Sequence, residues 1–213
     1  TLGCTAFCKA TLNESSTGFA NLKPPSEGYA AKPYSKDKNG DTYLHYAAYK
    51  GDTNIIRTLL AKHVDVNAKD NRGETPLNYA AYMGFTDSVR VLIEGEAQVD
   101  ERDNEGDTAL MFAACCGHKD VVALLLAHGA NPNNSDNQGE TPLRGASILN
   151  RKAVVLLLLA NKARIDSRDE SGYTALASAA EQGNKDICEL LLTHGANVDA
   201  TNNTEDSPLH VAA

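Results

Sequence analysis

The sequence predicts an all-α solenoid of stacked helix-turn-helix units with projecting β-turn fingers. An aspartate or its amide recurs every 33 residues, at Asp37, Asp70, Asp103, Asp136, Asp169 and Asn202. A similar phrase follows it in each of the first five copies, as in residues 40–48, 73–81 and 106–114. A fixed period of this length is typical of arrays in which each unit buries its apolar face only against its neighbours.

Each copy opens with a turn, which the third copy, residues 103–135, illustrates. Its first five residues are Asp-Asn-Glu-Gly-Asp. Asp and Asn side chains accept hydrogen bonds from their own backbone, and Gly106 adopts a positive φ without a steric cost. Residues 103–107 are therefore predicted to form the projecting finger.

The first helix of the third copy is predicted to begin after Thr108 and to run to about Cys116. The threonine hydroxyl can accept an N–H of the first turn, and three sister copies have proline at the next position. Ala113 and Ala114 are small enough to let neighbouring helices approach closely. Gly117 is predicted to end the helix.

The second helix of the same copy is predicted over residues 119–127. Its valines and leucines form a wide apolar face that can cover the core. His128 and Gly129 follow, and a glycine at this position is typical of a helix C-terminus.

The period and the phrase Thr-Pro-Leu-His-x-Ala-Ala, together with Gly-Ala-Asn at 129–131 and 195–197, resemble the ankyrin repeat. The resemblance covers one array, residues 37–213, divided into copies 37–69, 70–102, 103–135, 136–168 and 169–201 and a partial copy 202–213. It implies a slightly curved stack with first helices on the concave side, second helices on the convex side and protruding fingers. It also implies a protein-interaction module.

Several positions depart from the repeat. Asn150 replaces the glycine between the two helices of the fourth copy, and asparagine tolerates the left-handed region. In three copies the glycine after the second helix is replaced, by His63, Glu96 and Lys162. The C-terminal ends of these helices should therefore be less stable. Glu205 replaces the finger glycine of the sixth copy. Because an array needs a polar closing repeat, we expect the natural chain to continue beyond residue 213.

Residues 1–36 do not follow the repeat and read as an irregular segment with a short helical piece at 5–12. Their aromatic and apolar side chains suggest that they cover the exposed face of the first repeat. A flexible linker is the alternative.

The composition of the chain argues against two classes of function, nucleic-acid binding and membrane spanning. A net charge of −8 without a long basic run argues against nucleic acid as a partner. The longest apolar run, residues 153–160, is far shorter than the roughly 20 residues that span a membrane. The fourth copy has six Lys and Arg against three Asp and Glu, and forms a basic band or simply a set of solvated faces.

The five cysteines, at 4, 8, 115, 116 and 188, lack the spacing of a disulfide framework, which favours a reducing compartment. A cytoplasmic, monomeric protein is expected. Pairing of Cys4 with Cys8 would fit an exported or periplasmic form.

No catalytic residue, metal ligand set or cofactor is predicted. His45 and His210 occupy the histidine position of the family, which implies a structural hydrogen-bonding role. Cys115, Cys116 and His118 form the one group that suggests a metal, but adjacent cysteines cannot easily direct both sulfurs at one ion. Plain thiols are expected there, with redox sensing as the alternative.

The resemblance implies that residues after the Ala-Ala pair, and those of the finger, contact a partner. Partner-binding residues are predicted on the groove at Tyr49, Tyr82, Met83, Phe112, Cys115, Cys116, Ile148 and Leu149. On the fingers they are Arg72, Glu74, Glu105 and Asp107, as part of a polar, mostly acidic rim. Tyr82, Met83, Ile148 and Leu149 are expected to bury little of themselves in the core. Tyr46, Tyr79 and Phe112 could instead pack between repeats.

The sequence thus predicts a non-enzymatic scaffold that binds a partner protein. The alternatives are a regulatory or targeting arm of a larger enzyme, and a secreted effector. In either case the catalytic part would lie outside this chain.

Overall fold

The computed structural model describes residues 33–212. That part contains eleven α-helices and no strand beyond an isolated bridge between Lys36 and Thr42. The helices are α1 Tyr43–Lys50, α2 Thr53–Leu60, α3 Pro76–Met83, α4 Thr86–Glu94, α5 Ala109–Cys116, α6 Lys119–Ala127, α7 Pro142–Ile148, α8 Lys152–Ala160, α9 Ala175–Glu181, α10 Lys185–Thr193 and α11 Pro208–Val211. The predicted helical piece at 5–12, Cys4 and Cys8 lie outside the described residues, as does most of the predicted cap.

The helices form antiparallel pairs, each repeating the same local chemistry. A threonine precedes the first helix of all five pairs, and its hydroxyl accepts the backbone N–H three residues further on. Thr108, for example, accepts from the N–H of Met111 at 3.4 Å. The bounds predicted for α5 and α6 are confirmed.

First helices stack on first helices, and second helices on second helices. The alanine pairs, such as Ala113 and Ala114, are completely buried, so the first helices approach closely. The second helices contact one another less extensively. The first helices are therefore the more closely packed row, and their side is called the inner side of the stack below.

The fingers are joined by one backbone hydrogen bond that recurs between every two successive copies, linking residues 32 apart. The N–H groups of Asn71, Asn104, Asn137, Glu170 and Asn203 each donate to a carbonyl of the preceding finger, at 2.8–3.0 Å. This approach requires glycine. Gly73 has φ 79°, and a Cβ on it would lie 2.5 Å from Oδ1 of Asn104.

The departures from the repeat keep the backbone of the glycine they replace. Asn150 has φ 57°, as predicted, and His63, Glu96 and Lys162 have φ of 56–69°. Glu205 has φ 66° in place of the finger glycine. These non-glycine residues adopt the left-handed region at a local conformational cost.

Candidate protein-interaction surface

The first helices carry a row of partly accessible apolar side chains immediately after each alanine pair or its equivalent. Tyr49, Tyr82, Met83, Cys116, Ile148 and Leu149 are all half-buried. Because they occupy equivalent positions on four successive first helices, they form one strip along the inner side of the stack.

A second apolar cluster, separate from the main core, anchors the middle of this strip. Its buried members are Met111, Phe112 and Cys115 of α5, and Tyr82, Cys116 and Leu149 pack around them. Tyr82 meets Phe112 edge to face, with ring centroids 6.4 Å apart. Such a contact adds about 0.5–1.5 kcal/mol to the burial of the two rings.

This cluster corrects two of the sequence predictions. Cys115 was expected on the groove surface, and Phe112 either there or packed between repeats. They are 1% and 2% exposed because α3 and α7 cover α5 on both sides, so Phe112 takes the second of its two expected places. Tyr82 and Leu149 were expected to make little contact with the core. Both pack against the second cluster instead, which leaves only their outer faces accessible.

The acidic rim predicted on the fingers is also wrong for its principal members. Glu74 and Asp107 are 5% and 2% exposed. They stand at the base of the finger, where the backbone turns back into the helix pair, rather than at its tip. Burial raises the pKa of Asp107 to about 9, and the neighbouring Asp103 carboxyl adds to the effect.

Arg72 serves the fold rather than an open surface. Its guanidinium donates to Glu74 Oε2 at 2.7 Å, to Asp70 Oδ2 at 3.3 Å and to the Tyr79 hydroxyl at 3.0 Å. Tyr79 in turn donates to Asp41 Oδ1 at 2.6 Å and is completely buried. Burial raises the pKa of Glu74, and the nearby Arg72 opposes that rise.

The accessible edge of the fingers consists mainly of amides. Asn71, Asn104 and Asn137 are exposed, and each side-chain amide donates to a carbonyl one copy earlier, at 3.0–3.1 Å. Glu105 is half-buried and Glu170 is exposed. A partner would therefore meet a rim of amides with a few carboxylates.

Arg144 is a structurally important residue that the site prediction did not include. It stands at the register that His45 occupies in the first copy. Its guanidinium pairs with Glu140 at 2.9 Å and Asp169 at 2.8 Å, and its Nε donates to the Ser178 hydroxyl at 2.9 Å. An arginine at the histidine register was the visible signal in the sequence.

The histidines take structural roles. His45 is buried, its Nδ1 accepts the Thr42 N–H at 3.1 Å, and its Nε2 donates to the Glu74 carbonyl at 3.1 Å. His128 and His194 bond to carbonyls of their own helices through Nδ1.

The described part of the chain shows neither a metal-binding group nor a membrane span. In residues 33–212 no three His, Cys, Asp or Glu side chains are grouped to hold a metal ion. Cys115 is buried and Cys116 is half-buried. No helix within these residues has the length and apolar character needed to cross a membrane.

The fold and this surface together define a helical-repeat protein whose accessible features are spread over successive units. A family model described as ankyrin repeats (3 copies) matches residues 6–103, 92–169 and 150–213. The chain belongs to the ankyrin repeat family. The first match begins within residues 1–36, and the division at residue 36 stays a prediction. No curated protein matches the chain significantly.

Proposed function

We propose that this chain is a non-catalytic binding module that holds a segment of a partner protein along the row of first helices. Ankyrin repeats generally mediate protein–protein interactions. The observation that carries the proposal is the middle of the strip. There Tyr82, Cys116 and Leu149, from three successive copies, are half-buried and pack around the buried cluster of α5.

The chemistry of the strip favours apolar anchors on the partner. Tyrosine and methionine are enriched at the cores of interfaces, because they offer large contact areas. Tyr82 is held by Phe112 from below, so its accessible face is already ordered before binding. Such preorganisation reduces the entropy lost when a partner binds.

Charges at the two ends of the strip would orient the partner segment. Lys50 is exposed at the end of α1, and Glu181 is exposed at the end of α9. A segment with an acidic end near α1 and a basic end near α9 matches both. We expect a monomeric array of the five predicted copies and the start of a sixth to carry this surface.

The test compares two pairs of apolar residues on opposite sides of the stack. Proteins captured by the wild-type chain are identified by mass spectrometry, and the affinity of a captured partner is then measured by calorimetry. Tyr82→Ser with Leu149→Ser should weaken binding by about 2 kcal/mol, roughly 30-fold, because interface anchors often contribute this much. Leu156→Ser with Leu192→Ser is the matched control, since both leucines are more than 40% exposed on second helices.

A second pair covers the case in which the first variant loses stability. Met83 and Ile148 are half-buried and are not members of either buried cluster. Met83→Glu with Ile148→Glu should therefore keep the fold while placing charges on the strip. If both groove variants fold and bind the partner normally while the outer-helix control loses it, the interface lies on the second helices and the proposal is wrong.

A further inference from the structure

One register of the array carries a ladder of long basic side chains that join successive copies. Lys36 Nζ donates to the carbonyl of Lys69 at 2.7 Å, and Lys69 Nζ donates to the carbonyl of Arg102 at 2.8 Å. Arg102 Nη2 continues the ladder to the carbonyl of Ser135 at 2.9 Å. Arg168 Nη2 donates to the carbonyl of Thr201 at 2.6 Å. Every step spans 33 residues.

The ladder is broken at Ser135. A serine hydroxyl is too short to reach the next copy, so the carbonyl of Arg168 receives no basic side chain from the preceding copy. A cleft of about 530 Å³ opens at this point, between the fourth finger and the loop that follows α8. Its volume lies within the range of small-molecule sites, about 300–1,000 Å³.

The lining of the cleft is rich in hydrogen-bond donors and positive charge. Its principal side chains are Asn133, Ser135, Thr141, Arg164, Ser167 and Arg168. Arg164 and Arg168 are exposed, and within residues 33–212 the Arg164 guanidinium has no hydrogen bond or ion pair. Arg168 uses one N–H group for the Thr201 carbonyl, and a guanidinium carries five such donors.

The carboxylates nearby leave a net positive site. Asp166 also lines the cleft, and its Oδ1 accepts the N–H of Asn197 at 3.0 Å. Glu140, Asp169 and Asp136 adjoin lining residues. The first two are ion-paired with Arg144, and Asp136 Oδ1 accepts the backbone N–H groups of Gln138 and Glu140. Two arginines thus face one carboxylate within the lining.

We infer that this cleft binds a phosphate group, held by Arg164 and Arg168 with the hydroxyls of Ser135, Thr141 and Ser167 as further donors. Guanidinium forks match phosphate oxygens in pairs, and phosphate offers more acceptor oxygens than a carboxylate does. The group can belong to a free small molecule or to a phosphorylated side chain of a partner, and these two sources share the same chemistry. The site is distinct from the strip on the first helices.

The test uses amide NMR shifts of the full 213-residue chain, with inorganic phosphate and a short phosphoserine peptide as probes. Phosphate should shift the amides around Ser135 and Arg164 with a dissociation constant of about 1–10 mM. Arg164→Gln should weaken binding about tenfold. Arg90→Gln, which removes an exposed arginine from α4, is the matched control and should leave binding unchanged.

Ser135→Lys is the decisive variant. It adds a positive charge, so simple electrostatic attraction of an anion would become stronger. A lysine here should instead complete the ladder as Lys69 does, place its side chain across the cleft and abolish binding. A peptide that binds about tenfold tighter than phosphate identifies a phosphorylated partner as the source, and equal or weaker peptide binding identifies a free phosphate compound.

The proposal is overturned if neither probe binds at about 50 mM, if Ser135→Lys binds as well as the wild type, or if Arg90→Gln weakens binding as much as Arg164→Gln.

Discussion

The third and fourth copies place different side chains on the same backbone. In the third copy, Met111 and Phe112 build a buried apolar cluster on α5. At the same two positions of the fourth copy stand Arg144 and Gly145, and the arginine connects α7 to Glu140, Asp169 and Ser178. One copy holds its neighbours by packing, and the other does so by charge.

This difference determines how the buried acid at the base of each finger is accommodated. Asp107 and Glu140 occupy the same register, and burial raises the pKa of both. Arg144 opposes the rise for Glu140, whereas Met111, at the equivalent position, carries no charge that could act on Asp107. The residue at the histidine register of the family therefore influences both the packing between copies and the charge of the finger.

The most severe test places the third-copy residue in the fourth copy. Arg144→Met should lower the free energy of unfolding by about 3–5 kcal/mol at pH 7, because removing one partner leaves buried carboxylates without their cation. Chemical denaturation measures the loss. Arg57→Met removes an exposed ion pair with Glu94 and should cost less than about 1 kcal/mol. A similarly small loss for Arg144→Met would mean that the contacts of Arg144 with Glu140, Asp169 and Ser178 contribute little net stability.

A pH series tests the third copy. The pKa of Asp107 is about 9 in the fold against an ordinary value of 3.8. The folded state therefore binds the extra proton between these values, so its stability is full at low pH and falls as pH rises towards 9. Between pH 7 and 9 the wild type should lose up to about 1.4 kcal/mol per pH unit from this group, and Asp107→Asn should reduce that slope.

The contribution of Asp107 is the difference between the slopes of the wild type and the variant, because burial raises the pKa values of Glu74 and Glu140 to about 8 and both groups titrate in this window in both proteins. His45 has a pKa lowered by burial, so its effect has the opposite sign and is confined to pH below its ordinary value of 6.5. Asp120→Asn, an exposed position on α6, serves as the control. An Asp107→Asn slope equal to that of the wild type would show that Asp107 is already ionised at neutral pH.

The smallest effect concerns local opening rather than global stability. Val154, Val155 and Leu158 of α8 are buried, whereas α11 has four residues and its Leu209 is 77% exposed. Amides at 154–159 should exchange with solvent more slowly than those at 209–212. Hydrogen exchange by NMR measures both in one experiment. Faster exchange in α8 would place the weak point in the charge-linked fourth copy.

The helices of the third copy could be predicted to the residue, because their signals are local. Thr108 and Gly117 bracket α5, and the left-handed backbone of Asn150 follows from its place in the repeat. Side-chain direction could not be predicted in the same way. The period places Asp107 and Phe112 in a finger and a first helix, but their burial depends on how closely the adjacent copies approach.

The breaks in the repeat were visible in the sequence, but their consequences were not. Ser135 interrupts a run of basic residues at one register, and Arg144 replaces a histidine at another. The consequences become visible only in the contacts between residues 33 or 34 positions apart. These contacts show that a cleft opens at Ser135 and that Arg144 joins the fourth copy to the fifth. The sequence could thus predict which helices and turns carry the candidate surface, but not which of their side chains are accessible.

The hydrogen bonds between fingers also bear on how such a chain changes length. Each finger accepts with a carbonyl from the next finger and donates with an N–H to the previous one, so the joint is nearly the same at every interface. A gene rearrangement that removes or duplicates one 33-residue unit would therefore recreate a compatible joint. Copy number can vary during evolution while the cleft at Ser135, which depends on one particular copy, is gained or lost in a single step.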